Sequence, residues 1–328
     1  MGERTLSIAV AGAGLMGEWH ARYGRRAGAE LIAVVDPDRS RHSPTRFGNT
    51  RFFESLGSML NEAKPRAVHL CTPSGMHVSQ CEQLLRQGIH VLCEKPVGES
   101  LSDVEKLIAL AGENGASIVP VHQFVFQRGV QRARSELERL GELLEVEVIL
   151  HTAGGEGRDD HGLRMLMGEV LPHPLSLLEL FGVLPLDGWV VESRRAGELR
   201  ARGNHGNVAV SVSISAHARP TKAVMQLTGT AATVLIDLFH GFRVLTPGNV
   251  SRGRKVRAPF TESSKRFSAA AWNLGMRALR REPAYPGLLD LIRAFYKSIG
   301  QGGPLPIAYG SFLNVSRARD RLLGSERP

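Results

Sequence analysis

The sequence is poor in the residues that build disulfide frameworks, metal sites and membrane spans. It contains three cysteines among 328 residues, at Cys71, Cys81 and Cys93, and their spacing matches no metal-ligand set. We therefore expect reduced core thiols and no metal. The first apolar run, Leu6–Ala11, is too short for the hydrophobic region of a signal peptide, and no run approaches a membrane span. These shortages predict a cytoplasmic protein with no membrane partner.

Positive charge, in contrast, is in excess. The formal net charge is +9 and the pI is about 9.9. Such a balance suits nucleic acid or an anionic small molecule. The basic residues are scattered, however, and we find neither zinc spacing nor a basic helix interleaved with aromatic residues. We therefore expect no nucleic-acid partner, although the arginine excess would suit a phosphorylated or nucleotide-linked substrate.

The most informative local pattern is a glycine turn between two strand-like segments. The apolar segment Leu6–Val10 leads into this turn, a helical stretch follows, and Leu31–Asp36 resembles a second strand that ends in a carboxylate. Strand, glycine turn, helix, strand and acid in this order form a dinucleotide-binding unit. The glycines permit the tight turn, the approach of a pyrophosphate to the helix N-terminus, and close helix–strand packing. The predicted pyrophosphate-binding residues are Gly12, Ala13, Gly14, Leu15, Met16 and Gly17.

The acid at the end of the second predicted strand bears on cofactor choice. Asp36 lies nineteen residues past Gly17, where a carboxylate can accept hydrogen bonds from the adenosine ribose. A carboxylate also repels a 2′-phosphate, which favours NAD over NADP. Arg39 and Arg41 follow closely and could reach such a phosphate, so NADP stays an alternative.

Polar residues also follow the next strand-like segment, Val68–Cys71. Thr72 and Ser74 offer hydroxyl groups to a phosphate or ribose, and Pro73 ends the strand. His77 then opens a helix. The plainer interpretation of His77 is an ordinary residue in a first helical turn.

Two charged residues end the strand predicted over Ile89–Leu92. Glu94 and Lys95 would be costly at the carboxyl end of a parallel strand unless they faced the cleft where open α/β sheets bind ligands. A lysine beside a glutamate can orient a substrate hydroxyl or relay its proton. The alternative is a surface salt bridge in a turn, with Pro96 stopping the strand.

Three segments together resemble one family. The glycine turn, the segment CTPSGMH at 71–77 and the segment HVLCEKP at 90–96 occur in the order found in the glucose–fructose oxidoreductase, inositol dehydrogenase and rhizopine-catabolism (Gfo/Idh/MocA) family. The resemblance covers nearly the whole chain and is strongest over 6–125. It implies that Lys95 lies beside substrate and nicotinamide. It also implies that Thr72, Pro73, His77 and Glu94 line the cofactor site.

The family resemblance also implies the fold. It places a Rossmann domain with a doubly wound parallel sheet at 1–123, and an α+β domain with a large, mostly antiparallel open sheet at 124–328. A tightly held nicotinamide cofactor and a substrate cleft between the domains are part of that expectation. The residue pattern agrees, because strands alternate with helices in the first half and short alternating strands follow Trp189. We expect Ser102 and Glu105 to cap a helix, and Ser251–Lys265 to be a polar connection.

The region after the predicted Rossmann strands contains further candidates. By the resemblance, Gln123 is a nicotinamide contact and His122 faces the substrate, while Val125 stands where many members carry an arginine or tyrosine. A glycine- and charge-rich segment follows at 154–161. It is either a solvated loop or a substrate-facing one. Its candidate substrate contacts are Arg158, Asp160 and His161.

A second catalytic segment departs from the family pattern, Asp-x-Gly-x-His-x-x-Asp on a helix. His173 falls on the histidine, and Glu169 falls on the first aspartate, four residues earlier and so on the same helical face. Leu171 replaces the glycine and Ser176 the last aspartate. Because prolines flank the histidine, the helix is expected to start, kink or break there. The alternative for His173 is a capped or buried helix histidine.

These features together predict an NAD(P)-dependent oxidoreductase. The expected substrate is a polyhydroxylated small molecule, with hydride passing between nicotinamide and a secondary alcohol or ketone of a sugar, nucleotide sugar or cyclitol. Lys95 and His173 would handle the hydroxyl proton, with Glu169 supporting the imidazole. The alternatives are a biosynthetic ketone or imine reductase of the same family, and a non-catalytic redox sensor. A homodimer or homotetramer is expected, because a sheet with one helix-covered face commonly self-associates through the other.

Overall fold

The protein forms two compact units. The computed structural model describes residues 5–192, 195–248 and 251–324. The first unit contains the chain up to Val121 together with Leu288–Arg317, and the second contains His122–Gly287 and the residues from Ala318 onward. We describe each unit by itself. In the described part of the chain, no helix has both the length and the apolar character needed to cross a bilayer.

The first unit is built on a six-stranded parallel sheet in the order β3-β2-β1-β4-β5-β6. This order is that of a dinucleotide-binding sheet. Helices cover a parallel sheet on both faces, so its strands are continuous apolar runs, and all four residues of β4 are buried. The strands are β1 (Ser7–Ala11), β2 (Glu30–Val35), β3 (Arg51–Phe53), β4 (Ala67–Leu70), β5 (His90–Cys93) and β6 (Ile118–Pro120).

Two helices of the first unit, Leu56–Glu62 and Leu101–Glu113, begin at capping boxes. Helix α5 starts at a capping box of Ser100 and Asp103, in which the serine hydroxyl accepts from the Asp103 amide and the Asp103 carboxylate accepts from the Ser100 amide. The prediction that Ser102 and Glu105 form this box is wrong. Both pairs have the required spacing, and the helix takes the earlier one. The helices are α1 (Leu15–Arg26), α2 (Pro44–Phe47), α3 (Leu56–Glu62), α4 (His77–Leu85), α5 (Leu101–Glu113) and α10 (Leu288–Gln301), and α11 (Tyr309–Gly324) begins in this unit.

The second unit is built on a seven-stranded sheet in the order β13-β12-β11-β7-β10-β9-β8. One pair, β7 with β10, is parallel and the others are antiparallel. Burial alternates along β10 and β12, because one face packs on the core and the other does not. The strands are β7 (Leu143–His151), β8 (Asp187–Glu192), β9 (Glu198–His205), β10 (Val208–Ser215), β11 (Lys222–Gly229), β12 (Ala232–Asp237) and β13 (Phe242–Pro247). The predicted fold class is confirmed.

The largest difference between the predicted and observed helices of the second unit lies after β13. Arg252–Leu279 form a single helix of 28 residues, so the prediction of a polar connection at Ser251–Lys265 is wrong. Pro259 removes one backbone donor from this helix, but the lysine, arginine, alanine and glutamate residues around it favour a helix. The helices are α6 (Arg128–Ser135), α7 (Asp160–Val170), α8 (Pro172–Leu180) and α9 (Arg252–Leu279).

Candidate functional site

The glycine turn joins β1 to α1 where side chains would not fit. Gly12 has a φ of +93°, and a Cβ there would lie 2.5 Å from the carbonyl oxygen of Cys71. A Cβ on Gly17 would lie 1.8 Å from the carbonyl oxygen of Gly12. These two positions therefore require glycine, one for the turn and one for the contact between helix and turn.

The N-terminus of α1 has room for an anion. Gly14 is its N-cap residue and supplies no side-chain cap. No heavy atom lies within 4 Å of the position that a Gly14 Cβ would take. The amides of a first helical turn lack intrahelical acceptors and carry partial positive charge, so this open backbone fits a pyrophosphate. Ala13, Leu15 and Met16 complete the predicted cradle.

Asp36 follows the last residue of β2 and is buried. Its Oδ2 accepts a hydrogen bond from the Ala13 amide at 2.8 Å, and its Oδ1 accepts from the Asp38 amide at 2.9 Å. Arg41 Nη1 lies 3.7 Å from Oδ2. A carboxylate has about four acceptor positions, so these contacts leave capacity for ribose hydroxyls. The sequence did not reveal the second role of Asp36, which is to fix the glycine turn.

His77 connects two loops at the carboxyl ends of β4 and β5. Its Nδ1 lies 2.7 Å from the carbonyl oxygen of Pro96, and its Nε2 lies 2.8 Å from that of Thr72. The Thr72 hydroxyl donates to Oε1 of Gln80 at 2.5 Å. His77 is therefore more than an ordinary first-turn residue, because it holds Thr72 and Pro73 in place relative to the loop that contains Lys95.

Glu94 is a buried carboxylate, which excludes the surface salt bridge considered from the sequence. It is 9% exposed, and its Oε1 lies 3.2 Å from Nε2 of His20. The Lys95 amide donates to its Oε2 at 3.4 Å. Burial alone would raise the pKa of Glu94, but the hydrogen bond from His20 and the charges of His20 and Lys95 outweigh burial and lower it. An ionised carboxylate thus stands beside Lys95, which is half-buried.

In the second unit, a short 3-10 turn at Gln123–Phe126 contains the candidate Gln123 and directly follows the candidate His122. The Phe124 ring stacks on the His173 imidazole with centroids 4.4 Å apart and an interplanar angle of 19°. His122 and Gln123 are buried. The side-chain oxygen of Gln123 has no hydrogen-bond partner among the described residues, so it is available to a ligand.

Glu169 and His173 lie in consecutive helical turns. Helix α7 ends at Val170 and α8 starts at Pro172, while Leu171 between them keeps helical angles of φ −51° and ψ −37°. Both prolines occupy the first turn of α8, where a missing amide proton costs little. Of the outcomes expected at these prolines, a new helix start is therefore the one observed. The Ser176 hydroxyl donates to the carbonyl oxygen of His173 at 2.9 Å, so the residue in place of the aspartate bonds to the backbone.

The predicted loop at 154–161 ends earlier than expected. Asp160 and His161 belong to the first turn of α7, because the Asp159 carboxylate caps this helix by accepting from the Gly162 amide at 2.8 Å. Arg158, Asp160 and His161 are exposed. Their contact with substrate remains a prediction. Within the described ranges, no group of three or more His, Cys, Asp or Glu side chains is arranged to hold a metal ion.

Three polar residues near Glu94 were not predicted as functional. His20 Nδ1 lies 3.0 Å from His69 Nδ1, and His69 Nε2 lies 3.0 Å from the Tyr296 hydroxyl. One signal for His69 was present in the sequence, since it is the single polar residue in the apolar strand β4. Tyr296 is 227 positions away from His69 along the chain, so no local pattern could connect them.

The chain resembles known oxidoreductases. Residues 6–122 match the sequence profile of the GFO_IDH_MocA family, described as an oxidoreductase family with an NAD-binding Rossmann fold. The rhizopine catabolism protein MocA of Rhizobium meliloti is 29% identical over 105 residues, which make up 32% of this chain and 33% of that protein. D-glucoside 3-dehydrogenase of Escherichia coli (strain K12) is 28% identical over 144 residues, 42% of this chain and 41% of that protein.

Solved structures resemble the whole chain. The WlbA dehydrogenase from Bordetella pertussis, in complex with NADH and UDP-GlcNAcA, aligns over 99% of this chain and 97% of that one, with a TM-score of 0.77 and 16% identity. At this identity the likeness shows a shared fold. The segments aligned with curated relatives cover 28% to 42% of those proteins' lengths.

Proposed function

We propose that the chain is an NAD-dependent oxidoreductase acting on a secondary alcohol or its ketone, because residues 6–122 match the Gfo/Idh/MocA family profile, described as an NAD-binding Rossmann fold. One observation carries the proposal. The glycine turn, the Asp36 carboxylate and the Glu94–Lys95 pair all follow carboxyl ends of strands in one parallel sheet. Ligands of open α/β sheets bind at this edge.

The chain's own residues position the reactants, and a bound nicotinamide supplies the hydride chemistry. The open amides around Gly14 receive the pyrophosphate, and Asp36 accepts from the adenosine ribose. Thr72, Pro73 and Glu94 line the cofactor site. His77 holds their loops in place through its contacts with the carbonyl oxygens of Pro96 and Thr72. Gln123 offers its buried side-chain oxygen to a ligand.

Lys95 and His173 serve as the proton-handling groups. Removal of a hydroxyl proton must accompany loss of hydride from an alcohol carbon, and a neutral imidazole suits this task near neutral pH. The stack on Phe124 restricts the orientation of the His173 ring. Glu169, one turn earlier, stabilises the imidazolium that forms. Whether the lysine and histidine act in one step is measurable by a double-variant cycle, in which coupled residues give non-additive losses.

The substrate class is a sugar, a nucleotide sugar or a cyclitol. The names of the relatives support this class, since D-glucoside 3-dehydrogenase is one of them and WlbA was crystallised with UDP-GlcNAcA. The net charge of +9 suits an anionic member of that class. The exposed side chains of Arg158, Asp160 and His161, together with His122, are the proposed substrate contacts.

A homodimer or homotetramer is part of the proposal. The seven-stranded sheet alternates buried and less buried residues, as a sheet with one face outside the core does. Such a face commonly associates with a second copy. Light scattering of the purified chain gives the mass directly, and a monomer at working concentration contradicts this part of the proposal.

The test of the function is a substrate panel followed at the NADH absorbance band. Free sugars, uridine-diphosphate sugars and cyclitols are each offered with NAD, and the corresponding ketones are offered with NADH. We expect turnover with at least one member of the panel and loss of that turnover in Lys95→Met. Turnover that is equal in Lys95→Met would contradict the assigned chemistry. Saturable NADH binding without turnover of any panel member would favour the non-catalytic sensor.

A further inference from the structure

Four buried polar side chains form a continuous hydrogen-bonded row inside the first unit. The Tyr296 hydroxyl on α10 lies 3.0 Å from Nε2 of His69 in β4. Nδ1 of His69 lies 3.0 Å from Nδ1 of His20 on α1, and Nε2 of His20 lies 3.2 Å from Oε1 of Glu94. The row therefore ends at the residue that precedes Lys95.

The row is shielded from bulk water. His20 and His69 are fully buried, and Tyr296 and Glu94 are each 9% exposed. A buried polar group without a partner is costly, so each member of the row depends on the next. The two imidazole planes are nearly perpendicular, with centroids 5.1 Å apart and an interplanar angle of 87°, and their Nδ1 atoms lie 3.0 Å apart.

The donors of the row can all point in one direction. An ionised Glu94 only accepts hydrogen bonds, so Nε2 of His20 donates to it. The other nitrogen of a neutral His20 then accepts from Nδ1 of His69, and Nε2 of His69 accepts from the Tyr296 hydroxyl. These tautomers follow from the bonding pattern. Every polar atom along the row is satisfied, and the last donor faces the carboxylate.

The titration of the row members is consistent with this direction. Burial holds the pKa of His69 well below its ordinary range, and a proton on His20 would lower that pKa further, so His69 stays neutral. Burial raises the pKa of Tyr296 well above its ordinary range, so the hydroxyl keeps its proton.

Other titratable groups face Glu94 from the elements around it. Burial, with the charge of Glu94, raises the pKa values of the Cys71 and Cys93 thiols well above their ordinary range, so neither adds a second negative charge. The Cys93 thiol donates to the backbone carbonyl oxygen of Glu94 at 3.2 Å. Among the described residues, His20 and Lys95 act on Glu94, and Glu94 in turn acts on the thiols of Cys71 and Cys93. Lys95 contributes the opposite charge.

We propose that His20 is a positioning residue, which as the last donor of the row keeps Glu94 ionised and fixed in orientation beside Lys95. The inference rests on the proposed function, because it assigns a role to the group that supports the proton-handling lysine. A merely structural His20 would affect folding alone. A positioning His20 also sets the pH at which Glu94 takes up a proton.

The experiment compares His20→Leu, which removes the donor, with His20→Gln, which keeps an amide donor. Infrared difference spectra of the cofactor-free protein report the protonated carboxyl group of Glu94, which is identified by its loss in Glu94→Gln. In the parent, this band should appear only below the ordinary pH range of a carboxyl group. In His20→Leu it should appear at higher pH, because burial then acts without the opposing hydrogen bond. His20→Gln should restore most of the parent behaviour.

Turnover supplies the second readout. In His20→Leu, protonation of Glu94 begins at a higher pH than in the parent. At a fixed pH on the acid side, kcat of the variant should therefore be about tenfold below that of the parent for each pH unit of this shift. Above this range, kcat and the affinity for NADH should stay within a few-fold of the parent. In the His20→Leu/Glu94→Gln double variant, the added acid limb should disappear. His42→Leu, which changes a histidine of the same unit outside the row, serves as the control for general effects of losing an imidazole.

Two results would overturn the inference. One is a carboxyl band at the same pH in the parent and in folded His20→Leu, and the other is failure of His20→Gln to restore the parent pH. If His20→Leu does not fold, Tyr296→Phe replaces it in the experiment. This variant should raise the pH at which the carboxyl band appears, by a smaller amount. An unchanged pH would overturn the proposed orientation of the row. The spectra need no substrate. A band shift without turnover on any substrate would therefore support the role of His20 in setting Glu94 while contradicting the proposed function.

Discussion

The two units hold their candidate site residues by different physical means. In the first unit, the site residues follow the ends of buried parallel strands and are fixed by hydrogen bonds to the backbone or to buried partners. Asp36, His77 and Glu94 are held in this way. In the second unit, His173 is placed by a helix start and an aromatic stack. The Ser176 hydroxyl there donates to the backbone of its own helix.

This difference predicts which changes each unit tolerates. A site fixed by strand ends depends on the fold, so substitutions at Gly12 or Gly17 would disturb the backbone itself. A site fixed by side-chain packing can be altered one residue at a time. We therefore expect the first unit to determine the cofactor and the type of chemistry, and the second to determine the substrate.

The largest expected effect is that of Lys95→Met. Removing the ammonium group should lower turnover by a factor on the order of 10²–10⁴, the usual range for a positioned proton-transfer group. NADH affinity should stay within a few-fold. Steady-state kinetics and fluorescence titration measure the two quantities, and Lys106→Met on the exposed face of α5 is the control. Loss of NADH binding with an unchanged chemical step would make Lys95 a cofactor anchor.

The second prediction concerns the second unit. His173→Ala should lower turnover by a factor on the order of 10² and abolish the acid limb of the pH–rate profile. Glu169→Gln should have a smaller effect and move the limb to lower pH, because a nearby negative charge stabilises an imidazolium. The pH dependence of turnover, measured for the parent and for both variants, tests this prediction. If both variants turn over like the parent, the segment is structural, and proton transfer rests on Lys95 or on residues 158–161.

The third prediction concerns cofactor choice in the first unit. Asp36→Asn keeps one acceptor for the Ala13 amide but removes the charge, so NADH should bind roughly tenfold more weakly, in line with the worth of hydrogen bonds to charged groups. The difference between the affinities for NADH and NADPH should be smaller in this variant than in the parent. Fluorescence titration with both cofactors measures this, and Asp38→Asn is a matched control because Asp38 is exposed. Tighter binding of NADPH to the parent would contradict the role of Asp36 and point to Arg39 or Arg41.

The smallest expected effect is on stability. The pKa of His69 lies well below its ordinary range, through burial and then the charge of His20, so the unfolded chain binds a proton that the folded chain does not. Stability should therefore fall as pH drops below about 6.5, by at most about 1.4 kcal/mol per pH unit. Thermal midpoints measured across this range should show a shallower acid slope in His69→Gln. An equal slope in parent and variant would assign the effect to other groups.

The sequence predicted most of the first unit because its signals are local. The glycine turn, the acid after β2 and the Glu94–Lys95 pair each lie within a few residues of a strand end, so strand periodicity was sufficient to place them. The short strand Arg51–Phe53 was not predicted. Its three residues are too few to show a period.

The buried row and the aromatic stack depend on contacts between residues that are distant in the chain, which local sequence patterns do not indicate. The row from Tyr296 to Glu94 joins residues that are far apart in the chain, and the stack of Phe124 on His173 joins two elements of the second unit. The helix at Arg252–Leu279 was missed for a local reason, since Pro259 and the basic residues around it resemble a connection. The residue pattern and the family resemblance together therefore predicted the fold class, but not the packing within each unit, and the roles of the site residues stay predictions.

The most direct test of the central claim is a fluorescence titration of the parent chain with NADH and NADPH. We expect saturable binding of NADH to the first unit, abolished by Gly12→Val, whose side chain would collide with the backbone at Cys71. NADPH should bind more weakly. Absence of saturable binding of either cofactor to the folded parent would show that the first unit is not a dinucleotide-binding domain.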